Sequence, residues 1–453
     1  MLVQKPTLHI IGAGWAGLSA AVRACQSGFE VHLYESAPTL GGRAASHIKN
    51  HQPLDHGQHI LIGAYESTLK LLTLLGGSHA QQFNRLGLAI LDAQGQGFKL
   101  PLDRFGFKAL RALLQNKRWR SIDKLGVLWT GFYWLLNPDT RALLKDIDRD
   151  DLSMGRDMSV KDFFAPIPDR IMDDLIEPLC LSALNTNIHE ASARLLLRVL
   201  RDAFQDLPRS CELLIPKVPL GELLPGPARL WLERHGAHIH PSKRVRSLLE
   251  FKSEDIVVLC TSAREAARLC ATVASEWAQC AQALEHERIC TVYLRSQADS
   301  KSQVLPDLIA LDAHEPGSAQ FAIKNHHCST EDNIQWAFVI SAAPQLENEK
   351  FEDIIIRQAQ HQLGLVNIEV LQCVCDKQAT FKAKCGLKRP PQFVGQNIWA
   401  AGDYVMGPYP STLEGAVRSG QQTIDLIEQE LLRALPRHPA SRTAELSSKS
   451  SSN

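Results

Sequence analysis

The stretch from residue 8 to residue 35 restricts the fold more than any other part of the chain, because three closely spaced glycines lie between two apolar segments. The apolar ends predict strands, and the Ala-rich segment 17–25 predicts a helix. Gly12 permits a tight turn, Gly14 lets the backbone approach a pyrophosphate, and Gly17 lets the helix pack closely on the first strand. A strand, a glycine turn, a helix and a second strand in this order predict a dinucleotide-binding unit.

Glu35 closes this unit at the end of its second strand, 21 residues after Gly14. A carboxylate at this point can accept hydrogen bonds from both hydroxyls of an adenosine ribose. Gly41 and Gly42 then provide a flexible turn, and the guanidinium of Arg43 can bind a second phosphate through paired hydrogen bonds. A Gly-Gly-Arg sequence alone is usually an ordinary loop, but its place after the ribose acid predicts a cofactor contact.

Polar side chains are dense between residues 53 and 65, at the mouth of an apolar strand. Asp55, Gln58 and His59 supply the polar groups, and Gly57 allows close approach of the backbone. Two interpretations are open. The segment is a strand cap, or it is a wall of the cofactor pocket.

A second nucleotide-binding element is predicted late in the chain, where the apolar strand 397–401 ends at Gly402 and Asp403. Asp403 at the carboxyl end of a strand can bind ribityl or pyrophosphate oxygens. A helix that begins near Thr412 and Leu413 can direct its first amides at an electron-rich ring edge. Because a nicotinamide enzyme does not need this second site and a flavin enzyme does, the pattern predicts a flavin.

The length of 453 residues exceeds that of a usual single core and predicts two domains, whose segments can be interleaved in the sequence. Lys and Arg total 49, and Asp and Glu also total 49, so no global charge favours nucleic acid or an acidic partner. No apolar run reaches the roughly 18 to 20 residues that a membrane-spanning helix needs. Eleven cysteines form no zinc pattern and no Cys-X-X-Cys pair, which predicts reduced thiols in a cytoplasmic protein.

Residues 104–136 differ in composition from the rest of the chain, because basic side chains alternate with aromatic and aliphatic ones. Such a pattern is typical of an interfacial helix that lies in an anionic leaflet. It also fits a pair of ordinary helices with a solvated basic face. The sequence leaves both interpretations open.

Five motifs carry a family resemblance: Leu-Asp-His-Gly-Gln-His at 54–59, Glu-Pro-Leu-Cys at 177–180, Ala-Ser-Ala-Arg at 191–194, Val-Pro-Leu-Gly-Glu-Leu at 218–223 and Glu-Gly-Ala-Val-Arg-Ser-Gly at 414–420. On these motifs the chain resembles the superfamily of FAD-dependent amine oxidases and phytoene desaturases. Within it the chain is most similar to the hydroxysqualene dehydroxylases, squalene-associated flavoenzymes of hopanoid and isoprenoid biosynthesis. The first and last motifs are shared across the superfamily, and the middle three are more specific.

The resemblance implies FAD as the cofactor. It assigns the cofactor contacts to Gly12, Gly14, Ala16, Gly17, Glu35, Gly42, Arg43, Gly57, Gln58, Val245, Gly402, Asp403, Thr412 and Leu413. It further implies that reduced FAD replaces the allylic hydroxyl of hydroxysqualene by hydride, which gives squalene. His59 and Asp55 are the candidates for the proton donor to the leaving hydroxyl, or for the group that orients it. No metal is expected.

A long apolar isoprenoid substrate must come from a membrane, which favours the interfacial interpretation of residues 104–136. The expected location is therefore the cytoplasm, with peripheral contact to the inner face of the cytoplasmic membrane.

The resemblance also implies an α/β fold, in which a Rossmann-like FAD-binding domain is interleaved with an α+β substrate domain. The predicted boundaries give the FAD-binding domain residues 1–75, 213–270 and 391–432, the substrate domain residues 76–212 and 271–390, and a disordered tail residues 433–453.

Three alternatives accompany this reading. An oxidative desaturase of squalene or a carotenoid precursor would use the same residues, with the flavin accepting hydride instead of giving it. An amine oxidase is less favoured, since no aromatic pair is placed to flank an amine. A lipid-binding relative without redox chemistry, of the Rab-escort or GDP-dissociation-inhibitor type, is disfavoured by the intact set of glycines with Glu35 and Asp403.

Overall fold

The computed structural model describes residues 6–49, 52–99, 119–147, 149, 151, 153–205 and 209–434. The predicted tail lies outside the described residues from residue 435 onward, and so does the basic part of the predicted interfacial region, residues 104–118.

The described residues form eighteen strands. They are β1 (Thr7–Ile11), β2 (Glu30–Tyr34), β3 (Ser46–Lys49), β4 (Gln52–Asp55), β5 (Leu61–Ile62), β6 (Phe83–Leu86), β7 (Ala89–Leu91), β8 (Gly97–Lys99), β9 (Leu213–Pro216), β10 (His238–His240), β11 (Ile256–Leu259), β12 (His286–Gln297), β13 (Leu308–Ala310), β14 (Phe321–Lys324), β15 (Asn333–Ile340), β16 (Glu369–Phe381), β17 (Phe393–Gly395) and β18 (Ile398–Ala400).

The same residues form sixteen α-helices. They are α1 (Trp15–Gln26), α2 (Glu66–Leu74), α3 (His79–Gln82), α4 (Ser121–Leu136), α5 (Pro138–Lys145), α6 (Val160–Phe163), α7 (Asp169–Ile171), α8 (Glu177–Leu184), α9 (Ala193–Gln205), α10 (Leu220–Leu223), α11 (Pro225–Arg234), α12 (Ala263–Cys270), α13 (Ser275–Gln282), α14 (Ser300–Val304), α15 (Asn348–Gln358) and α16 (Leu413–Ala434). Residues Met172–Ile176 and Ala359–Leu363 are π-helical.

A six-stranded sheet holds the glycine turn, with the strand order β10-β2-β1-β11-β18-β17. All neighbours are parallel except β17 and β18. Because parallel strands need crossover connections, helices cover the sheet, and the strand ends that carry Gly12, Glu35 and Gly402 meet at one edge. The predicted strand, turn, helix and strand between residues 8 and 35 are confirmed as β1, α1 and β2.

Two glycines bring helices close to their neighbours in this layer. A Cβ on Gly17 would lie 1.9 Å from the carbonyl oxygen of Gly12, and a Cβ on Gly420 would lie 2.3 Å from that of Ala16. The absence of both side chains lets α1 pack on the glycine turn and α16 pack on α1. Ser19 adds a hydrogen bond from its hydroxyl to the carbonyl oxygen of Val417, at 2.9 Å.

A second sheet is antiparallel and has the order β13-β14-β15-β12-β16. In this sheet β12 pairs with β15 on one side and with β16 on the other. Helix α15 separates β16 from the other four strands in the sequence. One face packs against α15, around Phe351 and Ile355. The parallel and antiparallel sheets, with the chain passing between them, confirm the predicted fold class. The division into domains at the stated boundaries remains a prediction.

One cysteine prediction is wrong. A disulfide joins Cys290 on β12 to Cys375 on β16, where we expected reduced thiols. The two residues are 85 positions apart in the sequence, but they lie directly opposite each other in the sheet. The pairing therefore depends on strand register, which the spacing of cysteines does not reveal.

Helix α4 exposes an apolar stripe. Seven of its large apolar side chains are between 46 % and 72 % exposed, namely Ile122, Leu125, Leu128, Trp129, Phe132, Leu135 and Leu136. Their spacing of three or four residues places them on one face of the helix. Among the residues that the structure describes, no helix combines the length and the hydropathy that crossing a membrane requires.

Candidate active site

A cavity of 880 Å³ lies between the parallel and the antiparallel sheet. Fourteen of the sixteen predicted site residues line it: Gly12, Gly14, Ala16, Glu35, Gly42, Arg43, Gly57, Gln58, His59, Val245, Gly402, Asp403, Thr412 and Leu413. The other two, Gly17 and Asp55, do not. Gly17 lies beneath the turn, where it allows the close packing described above.

The polar end of the cavity starts at the first turn of α1. No side chain caps this helix at Gly14, and the next two residues, Trp15 and Ala16, also line the cavity. A Cβ on Gly14 would meet no atom within 4 Å, so the missing side chain leaves open space beside the uncapped amides. Gly42 has a φ of +60° and approaches Gly14 closely. This cradle of backbone amides is suited to a phosphate group.

Glu35 is fixed at the same end by hydrogen bonds to both carboxylate oxygens. Oε2 accepts from the backbone amide of Ala13 at 2.9 Å, and Oε1 accepts from the amide of Ala37 at 2.8 Å. Oε1 also accepts from the hydroxyl of Ser36 at 3.1 Å, whereas Oε2 keeps a further lone pair. The carboxylate is therefore held in place, and Oε2 remains able to accept a hydroxyl group of a bound nucleotide.

Arg43 and Asp403 form an ion pair in the wall of the cavity. The guanidinium donates to Oδ1 of Asp403 at 2.6 Å and to the carbonyl oxygen of Ala379 at 2.6 Å. Asp403 is the largest cause of the raised pKa of Arg43. The sequence predicted each residue as a separate cofactor contact, whereas the structure shows that the two hold each other.

Part of the segment with dense polar side chains, residues 53–65, forms a wall of the cavity. Gln58 and His59 both line the wall, and Oε1 of Gln58 is buried without a hydrogen-bond partner among the described residues. Oγ1 of Thr291, which lies on β12 and also lines the cavity, is buried in the same way. Buried polar atoms are normally paired, so both atoms are able to bind a polar group in the cavity.

His59 is neutral near pH 7. Burial lowers its pKa to about 4, and the positive charge of Arg43 contributes in the same direction. A neutral imidazole can donate one hydrogen bond and accept another. His59 is thus better suited to orient a bound group than to act as a strong acid.

The prediction for Asp55 needs correction, because this residue does not line the cavity and its carboxylate is bound elsewhere. Oδ1 accepts from the hydroxyl of Ser46 at 2.5 Å and from the backbone amide of Leu220 at 3.0 Å. Burial raises the pKa of Asp55 to about 6. These contacts tie β4 to the start of α10, which is a structural role.

The opposite end of the cavity is apolar. It is lined by side chains from β7, from α8 and α9, and from one face of the antiparallel sheet, including Leu88, Ile90, Leu179, Val199, Leu200, Phe204, Leu308, Phe321, Ile323 and Val339. One continuous space therefore offers phosphate and hydroxyl acceptors at one end and a hydrocarbon surface at the other.

Sequence reasoning missed the residues that strand β16 of the antiparallel sheet contributes to the cavity wall. Val374, Asp376, Gln378 and Thr380 line the cavity at every second position of β16. Strand β16 runs from Glu369 to Phe381. The alternation of side chains was the signal that could have found them.

Asp376 is the most notable of these residues. Its charge acts on the pKa values of Arg43, His56 and His59, so it lies near the centre of the polar wall. Asp376 therefore supplies a carboxylate to the cavity wall, whereas Asp55, the carboxylate that we predicted there, does not.

Comparison with known proteins agrees with this geometry. Residues 15–275 match the family model for "Flavin containing amine oxidoreductase". The chain is 25 % identical to hydroxysqualene dehydroxylase of Sinorhizobium fredii, over 93 % of this chain and 98 % of that protein. It is 27 % identical to the same enzyme of Rhodopseudomonas palustris, over 94 % and 99 %. A zeta-carotene desaturase of Zea mays is 26 % identical, over 55 % of this chain and 45 % of that protein.

A crystal structure of an oxidoreductase from Methanosarcina mazei has the same fold, with a TM-score of 0.69. The match covers 92 % of this chain and 100 % of that one, at 14 % sequence identity.

Proposed function

Since the chain belongs to the family of flavin containing amine oxidoreductases, we propose that it binds FAD in the cavity and reduces hydroxysqualene to squalene. The observation that carries the proposal is the continuity of the cavity from a nucleotide-binding end to an apolar end. The similarity to hydroxysqualene dehydroxylases over nearly the whole chain supports this substrate. The similarity to a carotene desaturase covers about half of the chain and supports the oxidative alternative less well.

The dinucleotide form of the flavin is favoured by the two separate sets of acceptors and donors. Glu35 and the start of α1 would hold the adenosine and its phosphates, with Val245 on the adenine side. Asp403 and the start of α16 at Leu413 would hold the ribityl chain and one edge of the ring. The unpaired oxygen of Gln58 would gain a partner.

The reaction replaces a C–O bond by a C–H bond, so a hydride must reach carbon and a proton must reach the departing oxygen, which leaves as water. Reduced FAD supplies the hydride and its two electrons. The apolar end of the cavity excludes water from the allylic centre and positions the chain of the substrate. Neutral His59 orients the polar groups, and Asp376, which lines the same cavity, is the carboxyl group that we propose to pass a proton to the departing oxygen.

The apolar stripe of α4 is the contact that we propose with the membrane. Trp129 and Phe132 are suited to the interfacial region, and the basic sequence that precedes α4 favours an anionic leaflet.

An anaerobic single turnover tests the function. The purified protein is chemically reduced and mixed with hydroxysqualene, the flavin absorbance is followed, and the lipid is extracted. Reoxidation with squalene as the product is the expected result. If the flavin stays reduced, while squalene or a carotenoid precursor bleaches the oxidised protein, the desaturase alternative replaces this proposal. A purified protein without bound flavin would favour a binding protein.

A further inference from the structure

Four histidines share one face of the parallel sheet, outside the residues that line the cavity. The register pairs His9 on β1 with His32 on β2, and His32 with His238 on β10. His240 lies two residues beyond His238 and therefore faces the same side. Glu30 lies two residues before His32 on the same face of β2. Three adjacent strands thus place a row of imidazoles beside a carboxylate.

The spacing of these groups matches the ligand shell of a small metal ion. Oε1 of Glu30 lies 3.5 Å from Nε2 of His32. Two ligand atoms bound to one Zn²⁺ at tetrahedral angles are about 3.3 Å apart, given bonds of about 2.05 Å. Among the described residues, Glu30, His32 and His238 form a group in which one ligand atom from each lies within 4.8 Å of the others. Small side-chain rotations would bring all three to bonding distance.

A neighbouring histidine orients the central ligand. Nδ1 of His32 lies 3.2 Å from Nε2 of His240, within hydrogen-bond distance. When the Nδ1 hydrogen of His32 is donated to His240, the Nε2 lone pair points toward Glu30. Metal-binding histidines usually have their second ring nitrogen engaged in this way.

His9 is excluded from the ligand set, because both of its ring nitrogens have other partners. Nδ1 lies 3.1 Å from the hydroxyl of Tyr34, and Nε2 lies 3.3 Å from Oδ2 of Asp255.

We propose that Glu30, His32 and His238 bind one divalent transition-metal ion, best matched by Zn²⁺, with water in the fourth position. A set of two imidazoles and one carboxylate suits Zn²⁺ better than it suits Mg²⁺ or Ca²⁺. The side chain of Glu30 is 54 % exposed, so the ion can enter from solvent.

The ion would join β10, which is the edge strand of the sheet, to β2. The chain that follows β10 forms part of the cavity wall: the amide of Lys243 donates to the carbonyl oxygen of Glu35 at 2.7 Å, and Val245 lines the nucleotide end. Bound metal would therefore stabilise the fold near the nucleotide site without touching it. The proposed ion site is independent of the substrate and of the direction of hydride transfer in the proposed flavin reaction.

Titration with Zn²⁺ alone tests the site. The full chain is stripped with a chelator, and binding is followed by calorimetry and by the melting temperature. We expect one ion per chain and a higher melting temperature. We expect His238→Asn and Glu30→Gln to weaken binding at least tenfold, since even outer-shell changes cost about 10- to 100-fold. His314→Asn, at a histidine whose side chain is 92 % exposed, is the control.

Free thiols also bind Zn²⁺, but they are the same in all of these proteins, so the difference between wild type and variants isolates the site. Equal affinity in wild type, His238→Asn and Glu30→Gln would overturn the proposal. So would a wild-type melting temperature that zinc does not raise. Far-ultraviolet circular dichroism shows whether each variant is folded, and a variant that fails this control is replaced by His32→Asn.

Discussion

Glu35 and Asp403 follow the ends of different strands, β2 and β18, and both carboxylates are held by partners that leave them at the cavity wall. Replacement of either by Ala removes an acceptor for the cofactor, and Asp403→Ala also frees Arg43. We expect each variant to lose bound flavin by at least tenfold, as judged from the visible absorbance of the purified protein. Asp425→Ala is the control, because this carboxylate pairs with Arg23 on the outer face of the helices. Full flavin occupancy in both variants would refute the cofactor assignment.

The titration of Asp55 makes the free energy of unfolding depend on pH in the acidic range. Its folded-state pKa, about 6, exceeds the unfolded value of about 3.9. The folded state therefore binds more protons between these values, and stability falls as the pH rises from about 4 to 6. The loss is about 2 to 3 kcal/mol. Asp55→Asn keeps an oxygen acceptor without the charge, so its unfolding free energy should fall less over this range. Denaturant unfolding at several pH values measures it, and identical slopes would contradict the prediction.

Among the elements, the contact between α1 and α16 depends on a missing side chain. Gly420→Ala would place a Cβ 2.3 Å from the carbonyl oxygen of Ala16. Overpacking of this kind costs about 1 to 3 kcal/mol. Gly131 provides a matched control in α4, since its Cβ would meet no atom within 4 Å, and Gly131→Ala should stabilise the helix by up to about 1 kcal/mol. Thermal unfolding of both variants tests this, and equal effects would show that the close approach is unimportant.

The apolar stripe of α4 leads to a prediction at the same scale. Trp129→Glu and Phe132→Glu put charge on the face that we assign to the membrane, so binding to anionic liposomes should fall about tenfold or more. Leu249→Glu is a matched control, because Leu249 is 88 % exposed on a different part of the surface. Co-sedimentation measures the bound fraction. Unchanged binding in the α4 variants would remove the proposed membrane contact.

Local chemistry explains which elements could be predicted from the sequence. The glycine turn, α1 and β18 each depend on residues close together in the chain, and they were found. The extent of β16, the Cys290–Cys375 pair and the row of histidines depend on strand register between distant segments. Asp55 was a candidate because it lies in the same polar segment as Gln58 and His59, but its carboxylate binds Ser46 and Leu220 instead.

At the scale of the whole molecule, the cavity lies between both sheets, so its ligand touches each of them. A ligand that binds only the folded state stabilises it by about 2.7 kcal/mol at a concentration 100 times its dissociation constant. We therefore expect FAD to raise the melting temperature of the flavin-free protein in a concentration-dependent way. Differential scanning fluorimetry with adenosine as the comparison ligand measures this shift. No shift with FAD would contradict a ligand shared between the sheets.

The order of the segments around the cavity also bears on protein synthesis. The glycine turn at Gly12 is made early, whereas Asp403 and the start of α16 at Leu413 are made nearly four hundred residues later. A nascent chain on the ribosome therefore presents half of a cofactor site for most of its elongation. The complete cofactor site therefore forms only after translation of α16, and until then the apolar side chains of the cavity lack part of their cover.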